Sequence, residues 1–77
     1  MNEQGYKNKF GEHLRKLRKQ KKLGLRQLAA NCNVDHAKIS DIENAKEDFM
    51  FSTFIELAKG LNLHPKELLD FEFEFEE

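Results

Sequence analysis

The chain is poor in the residues that define most small-domain classes: it has one cysteine, one proline, no tryptophan and four glycines in 77 residues. A single thiol cannot close an internal disulfide, so Cys32 excludes the stapled scaffold of a small secreted domain. Cys32 and the scattered His13, His36 and His64 offer neither C-x-x-C nor H-x-x-x-H spacing, and no metal is expected. No apolar stretch reaches the roughly 18 residues of a membrane span, and no charged start followed by an apolar run marks a leader. A cytoplasmic protein without membrane contact is the expectation. A core rarely divides below about 100 residues, so one domain is expected. At this length folding removes only ~60 % of the unfolded chain's surface from water, which leaves little room for a deep substrate cleft. A nucleophile paired with a general base and a phosphate-cradling glycine loop are also missing. The chain therefore reads as no enzyme, with no cofactor and no small-molecule ligand.

What is present is charge, unevenly placed. Residues 1–46 hold 11 Lys and Arg against 5 Asp and Glu, a net +6, whereas residues 47–77 hold 2 against 9, a net −7. A basic half attracts a polyanion and an acidic half repels it, so the distribution suggests a nucleic-acid face on the N-terminal side. A solvated surface with uneven charge is the plainer alternative. The helix-one cations Arg15, Lys16, Arg18, Lys19, Lys21 and Lys22 are read mainly in that plainer way, as a wet face around an apolar stripe.

Apolar periodicity places five helices. Phe10, Leu14 and Leu17 form one face of a first helix between Lys7 and Lys22, and Leu25, Leu28, Ala29 and Cys32 form the stripe of a short second one. Asn33 is a residue type that tolerates the left-handed conformation beyond a helix end. Asp35 is a good N-cap for a third helix with Val34, Ile39 and Ile42 inward, which turns His36, Ala37, Ser40, Asp41 and Asn44 outward. Ser52 is expected to cap a fourth helix that buries Phe54, Ile55, Ala58 and Leu61. Pro65 opens a fifth, sealed by Leu68 and Leu69. Residues 71–77 then alternate Phe and Glu, the period of a strand with one apolar face. Phe71, Phe73 and Phe75 are expected to bury on the core or on a second subunit, leaving Glu72, Glu74 and Glu76 wet. The division is thus a helical domain over 1–69 and a tail over 70–77 serving as a dimerisation strand.

Two short helices joined by a tight turn, with small Ala29 where they approach and a polar face on the second, make a helix-turn-helix. Leu28-Ala29, Val34, Ile39-Ser40, Ile42-Glu43-Asn44 and Leu57-Ala58-Lys59-Gly60-Leu61 resemble the phage repressor/Cro family, also called the xenobiotic-response-element family. The likeness covers residues 8–69. It implies an all-α, five-helix repressor-like domain with its third helix in the DNA major groove and its second across the phosphate backbone. On that resemblance His36, Ala37, Ser40 and Asp41 match base-reading positions, Lys38, Asn44 and Lys46 match phosphate positions, and Arg18 and Glu43 match an ion pair bridging helix one to helix three. Arg26 and Gln27, at the amide-rich start of the second helix, join the phosphate candidates. His36 can donate to or accept from a base edge, Ala37 suits a thymine methyl, and Asp41 can accept from a cytosine or adenine amino group while repelling phosphate. Two positions depart from the family pattern: Leu25 stands where many members carry Gln, and Ala45 where Gly commonly follows the recognition helix.

The function expected is a sequence-specific DNA-binding transcriptional regulator, a repressor acting by occupancy, that binds double-stranded DNA as a homodimer. The alternative is a protein-interaction module or antitoxin component, in which the acidic half and tail bind a protein partner such as a toxin.

Overall fold

The computed structural model describes residues 1–75, and Glu76 and Glu77 lie outside the described residues. Asn2 opens the first helix, its side-chain oxygen accepting the Gly5 N–H at 2.8 Å, and α1 runs from Glu3 to Gln20. It starts four residues earlier than periodicity alone suggests, because the cap and the Glu3–Lys7 pair support a polar first turn. Then come α2 (Leu25–Ala30), α3 (His36–Glu43), α4 (Phe51–Leu61) and a 3-10 helix (Pro65–Leu69). The expected five α-helices are thus four among the described residues. Pro65 has no N–H to give, and the reciprocal cap in which His64 Nδ1 accepts from the Lys66 amide while Glu67 accepts from the His64 amide closes a tighter, five-residue turn.

Three helix ends close in one way. Lys22, Ala45 and Asn62 take left-handed φ values of 59, 58 and 56°, and the amide of the next residue bonds back to Arg18, Asp41 and Ala58 respectively. These closures satisfy carbonyls that would otherwise be orphaned. Asn33 is not among the left-handed residues; its N–H is held instead by the Glu56 carboxylate at 2.9 Å. Ser52 does not cap α4, whose N-cap is Met50 without a side-chain bond.

The core gathers Phe10 and Leu14 from α1, Leu28 from α2, Ile39 and Ile42 from α3, Phe54, Leu57, Ala58 and Leu61 from α4, and Leu68, with Val34 from the turn. Ile55 and Leu69, expected inside, are 37 % and 46 % exposed. α4 turns its 54-57-58-61 stripe inward, which swings Ile55 to the flank. Two glycines sit at close approaches, Gly11 against backbone and Gly60 against side chains. A Cβ on Gly11 would lie 2.4 Å from the Glu43 carbonyl oxygen, and one on Gly60 2.8 Å from Leu28 Cδ1. Glycine is therefore what lets α1 lie directly on the end of α3.

The tail runs through Phe75 without regular secondary structure, and no strand forms among the described residues. No neighbouring strand offers its backbone a ladder, so the rings stack along the tail instead: Phe71 on Phe73 at 4.5 Å and Phe73 on Phe75 at 5.7 Å. Phe71 also meets the His13 ring at 5.5 Å, while His13 Nε2 lies 2.7 Å from the Glu67 carbonyl. Between tail and α4 opens an apolar groove of about 380 Å³, walled by Phe10, Phe49, Phe54, Phe71 and Phe73. Glu72 and Glu74 are exposed.

Gly11→Ala should destabilise the protein by ~1–3 kcal/mol despite the better helix propensity of alanine, because the added methyl meets backbone that cannot swing away. Gly5→Ala, whose new methyl would face only the Met1 and Asn2 side chains, is the control and should lose little. Thermal melts of the two variants check this; equal losses would refute the close-approach account.

Candidate nucleic-acid interface

Asp35 sets the direction of α3. Its carboxylate accepts the Lys38 N–H at 3.0 Å, and Ile39 and Ile42 bury the opposite face completely or nearly so. His36, Ala37, Ser40 and Asp41 are thereby left on the outer side, Ala37 exposed and the other three half-buried. An α-helix with its side chains is about 10–12 Å across, close to the ~12 Å width of the B-DNA major groove, and the eight residues of α3 give it a length of about 12 Å. α2 packs across α3, with Arg26 exposed. Gln27 is engaged at its oxygen, which accepts the Gly24 N–H at 2.6 Å and so caps α2.

The C-terminal end of α3 is held by charge. The Glu43 carboxylate is 2 % exposed and takes two hydrogen bonds from Arg18, at 2.7 and 3.0 Å. A third Arg18 nitrogen reaches the Leu23 carbonyl at 2.9 Å, so one guanidinium ties α1, α3 and the turn before α2. The hydrogen bond to Glu43 pushes the Arg18 pKa up, against the opposing effect of burial. A second arginine, which sequence reasoning left among the solvated cations, joins them. Arg15 Nε lies 3.3 Å from Glu43, and its terminal nitrogen donates to Asn44 Oδ1 at 2.7 Å. Its position three residues before Arg18, on one helix face, was the signal available in the sequence.

The phosphate candidates on this side divide. Asn44 is engaged at both ends of its amide, the oxygen by Arg15 and the nitrogen by the Ser40 carbonyl at 2.9 Å. Lys38 pairs with Glu47 at 3.1 Å. Lys46 is exposed, and its backbone N–H closes α3 onto Asp41. Cys32 is packed at the α2 end, its thiol donating to the Leu28 carbonyl at 3.3 Å. Burial pushes that thiol's pKa up and keeps it protonated at neutral pH. No helix among the described residues is long and apolar enough to cross a membrane.

The helix-turn-helix domain family matches residues 9–71. The chain is 33 % identical over 63 residues to control protein C.BamHI of Bacillus amyloliquefaciens, across 80 % of this chain and 78 % of that protein. The restriction-modification controller protein C.AhdI of Aeromonas hydrophila superimposes with a TM-score of 0.83 at 28 % identity, over 88 % of this chain and 99 % of that one. The clp gene regulator ClgR of C. glutamicum shares the fold, with a TM-score of 0.75 at 22 % identity over 82 % of each chain.

Glu43→Ala should cost several kcal/mol, because it strands the Arg18 guanidinium in a dry site. Glu56→Ala removes one exposed amide contact and a long surface ion pair with Lys59, and should cost no more than about 1 kcal/mol. Chemical denaturation of both gives the difference directly; equal losses would dismiss the buried pair as a structural element.

Proposed function

The chain belongs to the helix-turn-helix domain family, and from that membership we propose that it is a cytoplasmic transcriptional regulator that binds double-stranded DNA as a homodimer. This rests above all on the outer face of α3: four short or hydrogen-bonding side chains on a helix whose diameter suits the major groove, backed by buried Ile39 and Ile42 and the paired Glu43. His36, Ala37, Ser40 and Asp41 read base edges in the major groove. Arg26, Gln27, Lys38 and Lys46 lie on the side of the flanking phosphates, with Asn44 held between Arg15 and Ser40 beside them. Two half-sites one helical turn apart, ~34 Å, match a two-fold dimer. The control-protein relatives support a controller of a restriction-modification system and do not favour an interaction module or antitoxin; repression by occupancy is the mode of action we propose.

The second copy docks on the apolar side. Phe51 and Phe75 are each 75 % exposed and Met50 72 %, beside the aromatic groove. A stable interface buries about 800 Å² per partner, and aromatic side chains contribute 150–250 Å² each, so these residues with Tyr6, Leu69 and Phe73 supply most of it. Of the tail residues Phe73 and Phe75 face the partner, whereas Phe71 is half-buried against its own chain. Packing of these rings joins the copies.

Selection from a randomised duplex pool tests the function. A palindrome bound at least ~10³-fold above a scrambled control, with log affinity falling steeply against log salt, is expected. His36→Ala and Asp41→Ala should change which sequences are recovered, whereas Lys46→Ala should weaken all alike. Failure to enrich any motif would reject the proposal. For the dimer, sedimentation of the Phe73→Ser/Phe75→Ser double variant should show dissociation at least tenfold weaker in affinity, with unchanged circular dichroism; an unaltered dimer would remove the tail from the interface.

A further inference from the structure

We propose that Arg15 is the phosphate anchor at the C-terminal end of α3, in the place the sequence gives to Asn44. This rests on α3 being the DNA-reading helix. Four observations lead to it. Two guanidinium groups share the single Glu43 carboxylate, so the cluster carries a surplus positive charge. Arg18 is consumed by that carboxylate and the Leu23 carbonyl with its side chain 10 % exposed, whereas the Arg15 side chain is 40 % exposed, so the surplus faces solvent at Arg15.

Asn44 is the third observation. Its oxygen accepts from Arg15 at 2.7 Å and its nitrogen donates to the Ser40 carbonyl at 2.9 Å and, more weakly, to the Ser40 hydroxyl at 3.4 Å. An amide held at both ends is a bracket: it positions the arginine above it and cannot turn to meet a phosphate without breaking both contacts. Finally, the neighbouring Lys38 is paired with Glu47 and partly neutralised. Any phosphate within reach of Asn44 lies within one side-chain length of the Arg15 guanidinium. That group keeps N–H donors in a planar fork suited to phosphate oxygens, beyond the two used on Glu43 and Asn44.

The role is electrostatic and blind to sequence, so the salt dependence of binding is its signature. With the duplex selected above, Arg15→Gln should weaken binding on the order of tenfold for every sequence alike. It should also make the log-log salt slope shallower by about 2 per dimer, one phosphate from each copy. Arg15→Lys should keep the wild-type slope. Asn44→Ala should weaken binding in the wild-type background but change nothing further in Arg15→Gln, because the amide acts through the arginine. Arg18 still covers Glu43 in Arg15→Gln, and a melting temperature close to wild type verifies that the fold is kept. A wild-type slope in folded Arg15→Gln, or additive losses with Asn44→Ala, would overturn this assignment while leaving DNA binding standing. Absence of salt-dependent duplex binding by the wild type would overturn both.

Discussion

One buried carboxylate decides how the reading helix sits. Glu43 ends α3 inside the protein, where an unpaired charge is prohibitive, and only guanidinium groups from α1 reach it. Gly11 lets α1 come close enough for that reach by presenting bare backbone to the Glu43 carbonyl. A pair of this kind adds little net stability over a well-packed apolar contact, but it admits a single register. Slide α1 by one turn and both arginines lose their partner. The orientation of His36, Ala37, Ser40 and Asp41 follows from that register and from the Asp35 cap at the other end of the same helix.

The molecule has two unlike sides as a result. The face of α3 is polar, short and rimmed by cations, whereas the start of α4 and the tail form an aromatic surface that a monomer leaves wet. The charge division along the sequence matches this arrangement, with the basic residues concentrated before Lys46 and the acidic ones after it. The core cluster that includes Leu28 and Leu57 lies between these two sides.

Much of this was legible in the residues. Apolar spacing located all four α-helices, Asp35 announced the start of α3, and His64-Pro65 announced the last turn. The pairing of Arg18 with Glu43 follows from the resemblance, and the two side chains lie 2.7 Å apart. What stayed hidden depends on three-dimensional neighbours. Ile55 and Leu69 carry core-type side chains that periodicity cannot distinguish from interface residues, because both are apolar at helical spacing. Phe/Glu alternation signals an extended chain but not whether a strand exists to pair with it. The bracket at Asn44 needs a residue 29 positions away, and no local pattern announces it.

The three left-handed helix ends have a mechanical meaning. Lys22, Ala45 and Asn62 turn the chain between helices, and none of the glycines is used for that purpose. A side chain at such a position strains the folded state by about 1 kcal/mol, yet it also narrows the conformations open to the connection. Joints built this way do not swivel. A reading helix fixed by a single-register ion pair and flanked by a stiff joint at Ala45 has little freedom to adapt its aim, which makes the bendable steps of a duplex the softer side of any fit between the two.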